Sequence, residues 1–252
     1  MPRVNVLGKK RPVIWVIHLL PLPGAPREKT LREVHKRAKA DARNLAGVDG
    51  YILENFGDAP FSPGPVEPHI IAIMTDIART LPRPLGINVL RNDASAALGI
   101  ALAVDADFIR VNIHTGVMQT DQGVIEGQAH KTVRYRKAIG SRAKIFADVL
   151  VKHATGGGDP ATTARETAYR GLADALLVTG AETASAADPE ELRLVKEAVP
   201  DRPVLVASGV TLENIRAFDR ADGFIIGSHF KRGGNPENPV DAARVRRFLK
   251  AL

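Results

Sequence analysis

The chain has 252 residues, of which 44% are hydrophobic, and its 35 basic and 28 acidic residues give a formal net charge of +7. This length suits one large α/β domain. No run of about 18 apolar residues occurs, so we expect no membrane span. The absence of cysteine excludes disulfide and thiol chemistry and fits a cytoplasmic protein.

The positive net charge raises the question of nucleic-acid binding. The basic residues are spread along the chain among the acids, and only three tyrosines and one tryptophan are present. Proteins that bind single strands combine a basic groove with aromatic stacking platforms, and this pattern is missing. We therefore expect no nucleic-acid partner, and a basic surface that attracts phosphorylated metabolites.

Eight apolar runs of strand length alternate with helical patterns. The runs cover residues 13–18, 50–54, 85–90, 108–113, 144–149, 174–179, 204–208 and 223–228. Repeated strand–helix alternation without a long linker predicts a single (β/α)8 TIM barrel over residues 1–252. An open doubly wound sheet is the alternative, but no GxGxxG follows the first strand.

Two helix starts have recognisable caps. Thr30 and Glu33 have the spacing of a capping box, and the helix they begin would place Leu31 and Val34 on its buried face. Thr211 is in position to cap the seventh helix. Three long connections, 55–68, 114–127 and 152–160, follow predicted strands two, four and five. We expect these loops to shape and cover a pocket at the C-terminal end of the barrel.

Side chains alternate between the two faces of a strand, so the inward face can be predicted. In the fourth strand Ile109 and Val111 suit the helix layer, which turns Phe108 and Arg110 to the barrel interior. The same reasoning brings a polar set to the C-terminal mouth: His18, Glu54, Asn88, Arg110, Asn112, Asp148, Thr179 and Ser208. Burying carboxylates and an arginine is costly unless they pair or bind a ligand, so this set predicts a functional pocket.

The chemistry open to this set is acid–base chemistry. Glu54 and Asp148 are candidate general acids or bases. Arg110 either serves the site or forms a structural ion pair with one of these two carboxylates. Lys152 is a candidate Schiff-base amine, a phosphate contact or a solvated loop lysine. His18 transfers protons, binds a metal or only forms hydrogen bonds. No dedicated cofactor is predicted, and a divalent metal stays possible without an assigned ligand set.

Glycine and serine end the last two predicted strands. Ser208 and Gly209 follow the seventh run, Gly227 and Ser228 follow the eighth, and Lys231 lies just beyond. Glycine lets the backbone approach an anion, and barrels often bind phosphate in these two loops. We predict a phosphate seat formed by these five residues. Two ordinary tight turns are the alternative, because they favour the same residue types.

Several strings in this order resemble the BtpA/SgcQ family: IHLLPLPGAP (17–26), ENFGDAPF (54–61), DFIRVNIHTG (107–116), ADVLVKHA (147–154), SGVTLEN (208–214) and DGFIIGSHFKRGGNPENPVD (222–241). The family is regarded as a phosphate-binding TIM barrel. It is named after a cyanobacterial factor needed for photosystem I accumulation, and other members are thought to be enzymes of sugar metabolism. The resemblance adds Asn55, Asp58, Arg91, Asn92, Asp93 and His153 to the candidate pocket residues.

The sequence thus predicts an enzyme that acts on a small phosphorylated metabolite, as a phosphosugar-type isomerase, epimerase or lyase. Asn88, Arg110 and Asn112, with Arg91, Asn92 and Thr179, would bind the substrate. A non-covalent route is favoured, because Lys152 is not clearly inside the barrel. The alternative is a non-catalytic assembly or regulatory factor that uses the barrel as a ligand sensor or partner surface. We expect a homo-oligomer.

Overall fold

The computed structural model describes residues 5–156, 158–180, 185–207 and 209–251. Its strands in chain order are β1 Val13–His18, β2 Gly50–Glu54, β3 Leu85–Asn88, β4 Phe108–Val111, β5 Val117–Thr120, β6 Gly123–Glu126, β7 Lys144–Asp148, β8 Ala154–Gly156, β9 Ala175–Val178, β10 Val204–Val206 and β11 Gly223–Ile226. Eight of them close into a parallel barrel in the order β1-β2-β3-β4-β7-β9-β10-β11. The predicted TIM barrel is confirmed.

Helices alternate with the barrel strands. They are α1 Leu31–Asn44, α2 Pro68–Ala78, α3 Ala94–Val104, α4 Ala129–Ala138, α5 Pro160–Arg165, α6 Pro189–Ala198 and α7 Ala242–Ala251, and a single π turn, Glu166–Arg170, extends α5. Short 3₁₀ turns cover Phe56–Asp58, Ile215–Phe218, Ser228–Phe230 and Arg232–Gly234. None of the described helices is long and apolar enough to cross a membrane.

The start of α1 has the predicted capping box. The Thr30 hydroxyl accepts the Glu33 amide at 3.3 Å, and the Glu33 carboxylate accepts the Thr30 amide at 2.9 Å. Val34 is buried as predicted, but Leu31 is 46% exposed. Leu31 occupies the first helical position, ahead of the turns that pack on the barrel, so sharing a helical face with Val34 does not bury it.

The predicted seventh α-helix is wrong. Only the 3₁₀ turn Ile215–Phe218 forms there, and Thr211 does not cap it. The Asn214 side chain accepts the Thr211 amide at 2.8 Å and donates to the Gly209 carbonyl at 2.7 Å. These side-chain bonds to the backbone offer an alternative to a first helical turn, which explains the difference.

The strand faces follow the predicted alternation. Ile109 and Val111 pack in the layer between strands and helices, whereas Phe108 belongs to a separate cluster inside the barrel. There its ring stacks on Phe146 with centroids 4.3 Å apart. A Cβ at Gly86 would lie 2.3 Å from the Phe108 ring, so glycine makes room for this ring. The interior of the barrel at the level of Phe108 and Phe146 is therefore filled by side chains.

Two of the loops predicted to cover the pocket contain regular structure. β5 and β6 form an antiparallel hairpin, and β8 pairs with β5 to complete a three-stranded sheet in the order β6-β5-β8. Met118 and Ile125 bury one face of this sheet against Ile113 and Val151. Burial of that face stabilises the hairpin. Residues 114–127 and 152–160 were predicted to be loops, and the three strands of this sheet were not predicted.

Candidate active site

Glu54 lies at the end of β2, between His18 on β1 and Asn88 on β3 in the strand register. The Asn88 amide donates to Glu54 Oε2 at 2.6 Å. His18 Nε2 is 3.8 Å from Glu54 Oε1, which is too long for a hydrogen bond. All three side chains are buried. Glu54 therefore has one oxygen fixed by Asn88 and a second oxygen open to a ligand.

His18 is held by the loop after β11 and by an aromatic ring. Its Nδ1 is 3.2 Å from the Pro236 carbonyl oxygen, so a protonated Nδ1 can donate a hydrogen bond to this oxygen. Its ring stacks on Phe56 at 4.3 Å. Burial, with the charge of Lys231, holds the pKa of His18 well below its usual range. The imidazole is therefore neutral near pH 7, and Nε2 faces Glu54 as an acceptor.

Asp148 forms the second polar centre of the mouth. Arg110 donates to it through Nε and Nη2, both at 3.0 Å, and Asn112 donates to Oδ2 at 3.1 Å. The bidentate pair is buried on both sides. The structural ion pair considered for Arg110 thus exists, with Asp148 rather than Glu54. Because both Asp148 oxygens accept hydrogen bonds, this carboxylate holds Arg110 and Asn112 in place.

Lys152 lies in the mouth, beyond the end of β7. It lines a cleft of about 190 Å³ together with Glu54, Arg91, Arg110 and Asn112. Burial and the neighbouring charge of Arg110 lower the pKa of Lys152 to about 8, although Glu54 and Asp148 oppose the shift. Lys152 thus lies inside the barrel mouth. A non-covalent route was favoured because Lys152 was not clearly inside the barrel, and this reason no longer holds.

Three buried polar atoms of the site have no protein partner within the described residues. They are Asn88 Oδ1, Asn112 Oδ1 and Arg91 Nε. Arg91 uses its Nη2 to donate to the Lys152 carbonyl at 2.7 Å, which fixes the guanidinium at the cleft wall. Buried polar groups nearly always find partners, so unsatisfied ones around one cleft indicate a bound ligand or water.

Two residues predicted to bind substrate hold the backbone instead. The Asn92 side chain donates to the Ile113 carbonyl and accepts the Ile113 amide, both at 2.8 Å. Thr179 donates to the Leu150 carbonyl at 2.9 Å. Because their polar groups are engaged by main chain, we interpret Asn92 and Thr179 as residues that position the loops around the cleft.

The residues added by the resemblance form two groups, those that bind the backbone and those that line the cleft. Asn55 Oδ1 accepts the Leu90 amide at 2.7 Å. Asp58 accepts the Leu22 amide at 2.7 Å, and Asp93 caps α3 by accepting the Ala96 amide at 2.8 Å. These three organise the mouth. His153 lines the 190 Å³ cleft beside Lys152.

The glycines predicted to form the phosphate seat lie at the ends of β10 and β11. Gly209 has a φ of +58° and is partly exposed, as are Gly227 and Ser228. A Cβ at Gly227 would lie 3.2 Å from the His18 ring, so this strand end adjoins the acid–base centre. A Cβ at Gly209 would meet the Ser185 carbonyl at 2.2 Å, so the backbone packs closely there. Ser208 lies outside the described residues.

The position of Lys231 corrects its predicted role at the phosphate end. Its side chain is fully buried, and its ammonium donates to Asp41 on α1 at 2.9 Å. An ion pair with a buried carboxylate satisfies this charge internally, which argues against direct contact with phosphate. The basic residue past β11 therefore joins the barrel to α1.

A second cleft adjoins the first, and the sequence analysis missed the residues between them. It has a volume of about 260 Å³ and is lined by His18, Phe56 and Pro236, with Arg27 and Glu237 at its rim. Phe56, Arg27 and Glu237 line both clefts, and Arg27 pairs with Glu237 at 3.1 Å. Phe56 follows Glu54 closely in sequence, so its position near the site could have been predicted. Arg27 and Glu237 are 210 positions apart, and no local sequence pattern indicates that they pair.

Within the described residues, no group of three or more histidines and carboxylates has an arrangement suited to a metal ion. Glu54 and His18 come close to each other, but Asp148 is engaged by Arg110. A divalent metal therefore has no assigned ligand set.

Solved structures with the same fold come from several enzymes. Phosphoribosyl anthranilate isomerase from Thermus thermophilus aligns with a TM-score of 0.57 at 15% identity, over 95% of this chain and 97% of that one. 3-Keto-L-gulonate-6-phosphate decarboxylase from Vibrio cholerae aligns with a TM-score of 0.55 at 12% identity, over 96% and 98% of the two chains. At such identities the similarity establishes the TIM-barrel fold alone.

Sequence relatives are much closer. The photosystem I biogenesis protein BtpA of Synechocystis sp. is 47% identical over 251 residues, which cover 96% of this chain and 88% of the relative. An uncharacterized protein of Pyrococcus abyssi is 46% identical, over 98% of this chain and 97% of its own. The model of the BtpA family matches residues 9–252. With this match over nearly its whole length, the chain belongs to the BtpA family.

Proposed function

We propose that this protein is an enzyme that acts on a small phosphorylated metabolite by acid–base chemistry at the barrel mouth. One observation carries the proposal: buried Glu54 has a free oxygen beside neutral His18, in the same cleft as a lysine with a lowered pKa. A packed barrel end needs no such arrangement. Catalytic groups, in contrast, need shifted pKa values and unpaired atoms that face a ligand.

Glu54 is the general base in this proposal. Its Oε2 is fixed by Asn88, so Oε1 can accept a proton from a carbon or hydroxyl of the substrate. His18 Nε2, 3.8 Å away, can accept a hydrogen bond from a second substrate hydroxyl. Removal of a proton next to a carbonyl is shared by phosphosugar isomerases, epimerases and aldol-type lyases, and we propose this reaction class.

Asp148 acts through its partners. It orients Arg110 and Asn112, and the Asn112 Oδ1, which has no partner among the described residues, can accept a hydrogen bond from a bound ligand. Two of the cations that line the cleft, Arg91 and Lys152, can contact an anionic substrate, whereas Arg110 is paired with Asp148 and Arg27 with Glu237.

The phosphate group would bind at the partly exposed backbone of Gly209, Gly227 and Ser228, next to His18. Two enzymes with this fold, an isomerase and a decarboxylase, have names that contain phosphorylated compounds. This is support by analogy of fold, and the site residues carry the argument.

The test is a panel of phosphorylated metabolites screened by thermal shift, followed by turnover assays of the ligands found. Glu54→Gln keeps the shape of the side chain but cannot take a proton. We expect it to bind the same ligand and to lose about 10²- to 10⁴-fold in kcat. Asp148→Asn should weaken ligand binding in addition to lowering kcat, because the asparagine no longer holds Arg110 in place.

The matched control is Glu126→Gln, on the exposed face of the β5–β6 hairpin, which should leave kcat and binding unchanged. If Glu54→Gln turned the ligand over at the wild-type rate, the acid–base role of Glu54 would be wrong.

A non-catalytic role is the second candidate, favoured by the name of the Synechocystis relative, a photosystem I biogenesis protein. In this case the barrel would serve as a ligand sensor or partner surface. The same panel separates the two functions: a sensor binds its ligand without turnover, and Glu54→Gln changes at most the affinity.

A further inference from the structure

Lys152, which is half-buried at the barrel mouth, differs from the fully buried lysines Lys196 and Lys231. Lys196 donates to Asp222 at 2.6 Å, and Lys231 donates to Asp41 at 2.9 Å. Each of these ammonium groups has its own buried carboxylate, as expected for structural charges. Lys152, in contrast, has no hydrogen-bonded acceptor for its amine in the part of the chain that the structure describes, although the amine lies near two carboxylates.

The charged groups around Lys152 come from several strands and loops. Arg110 and Arg91 disfavour its protonated form, and Glu54 and Asp148 favour it. Asp148 is already paired with Arg110 through both oxygens. The carboxylate that most favours the protonated form of Lys152 is therefore Glu54, the residue proposed to transfer protons.

The lowered pKa of Lys152 leaves part of its amine uncharged near neutral pH. With a pKa of about 8, about a quarter of the Lys152 amines are uncharged at pH 7.5. For an ordinary lysine this fraction is about one in a thousand. Only the uncharged amine attacks carbon, and lysines that form Schiff bases are activated by burial and by neighbouring cations. Lys152 has both.

We infer that Lys152 forms a Schiff base with the carbonyl carbon of a small phosphorylated aldehyde or ketone, an inference that rests on the proposed function. The amine nitrogen forms a bond to the carbonyl carbon, and a proton moves from nitrogen to the former carbonyl oxygen. A second proton, taken from solvent, then protonates the hydroxyl of the resulting carbinolamine, which leaves as water, and the nitrogen keeps its remaining proton in the protonated imine. No oxidant, reductant or further reactant is needed.

Glu54 has the position for the proton transfers of this step. It can take the proton from the attacking nitrogen and return one to the departing hydroxyl. The positive charge of the imine then lies near Glu54 and draws electrons from the adjacent carbon. Loss of a proton or a carbon–carbon bond at this carbon gives the isomerase or lyase chemistry proposed above. Asn112 lines the cleft, and its Oδ1, which has no partner among the described residues, can accept a hydrogen bond from a hydroxyl of the substrate.

The experiment is reductive trapping with glyceraldehyde 3-phosphate and cyanoborohydride at pH 7.5, followed by peptide mass mapping. The internal control is Lys144, an exposed lysine at the opposite end of the same strand, β7. We expect Lys152 to be labelled at least tenfold faster than Lys144 and its labelling rate to rise with pH with a midpoint near 8. Labelling of Lys152 no faster than Lys144 would overturn the inference.

Variants and a second probe separate this inference from the proposed function. Lys152→Arg should lose fast labelling, and Lys144→Arg should keep it. Glyceraldehyde, which lacks phosphate, should label Lys152 more slowly if the phosphate is anchored. If Lys152 is trapped but no metabolite is turned over, the Schiff base holds and the enzymatic proposal fails. If Glu54-dependent turnover is found and Lys152 is not trapped, the covalent step alone fails.

Discussion

At the scale of single residues, Glu54 and Asp148 have the same kind of side chain but different capacities. Both end barrel strands and both face the interior. Glu54 accepts one hydrogen bond from Asn88, whereas Asp148 accepts three from Arg110 and Asn112. Both oxygens of Asp148 are engaged by protein donors, whereas one oxygen of Glu54 is left for a ligand, so the two acids play different roles.

His18 gives a pH prediction at this scale. Its pKa is lowered by burial first and then by Lys231, so the folded protein disfavours the protonated ring that the unfolded chain accepts below about pH 6.5. The stability that depends on neutral His18 is thus present above pH 6.5 and is lost as the pH falls towards the folded pKa. The loss is at most about 1.4 kcal/mol per pH unit.

The measurement is urea unfolding of wild type and His18→Asn between pH 7.5 and 5. Asparagine can still donate to the Pro236 carbonyl but does not titrate. We expect the stability advantage of the wild type to shrink as the pH falls. His114 and His229, whose pKa values are also lowered by burial, are present in both proteins and cancel. A constant difference over this range would show that His18 titrates normally.

At the scale of elements, the 3₁₀ turn Phe56–Asp58 connects the two clefts to β2. The Gly57 amide donates to the Leu19 carbonyl at 3.1 Å, so the turn packs tightly on the segment after β1. A Cβ at Gly57 would lie 2.3 Å from the Pro21 nitrogen. This glycine is required because backbone approaches backbone, and no side chain can rotate out of the way.

Gly57→Ala should therefore displace the turn and with it Phe56. We expect a loss of about 1–3 kcal/mol in stability, as for other overpacked sites, and a weaker ligand interaction. Gly64→Ala, in the same connection, is the matched control, because a Cβ there meets nothing within 4 Å. Thermal unfolding and ligand titration of both variants test this. Equal behaviour of the two alanine variants would contradict the packing argument.

At the scale of the whole molecule, Asp41 joins α1 to the segment that follows β11. It accepts hydrogen bonds from Lys231, Arg37 and the Val240 amide, each at 2.9 Å. β1 pairs directly with β11, so this contact lies where the first and last parts of the chain close the barrel. Burial lowers the pKa of Lys231, and Asp41 opposes that shift.

Asp41→Ala should destabilise the barrel by about 3–5 kcal/mol, because it leaves the Lys231 ammonium buried without its carboxylate. Adding Lys231→Met to this variant should restore part of the loss, since the unpaired charge is removed. Equilibrium unfolding of the single and double variants measures the coupling. If Asp41→Ala unfolded at the wild-type denaturant concentration, this junction would not be needed for closure.

The local sequence pattern determined the barrel and the side of each strand. Apolar runs of strand length and the period-two alternation fixed which residues face inward, and so brought Glu54, Asn88, Arg110 and Asp148 to one mouth. These are short-range regularities, which a single chain carries in its order of residues. The capping box at Thr30 is of the same kind.

Only the tertiary structure decided which polar groups pair and which stay free. Asp148 takes Arg110, Lys231 turns to Asp41, and Lys152 is left without an acceptor among the described residues. Whether a hydrogen bond or an ion pair forms depends on differences of a few tenths of an ångström in the distance between two atoms, and these atoms often belong to residues far apart in sequence. The small sheet formed by β5, β6 and β8 likewise depends on a buried face that only the folded loops provide. The local sequence pattern thus selects the residues that reach the mouth, and the packing of distant segments decides what each can do there.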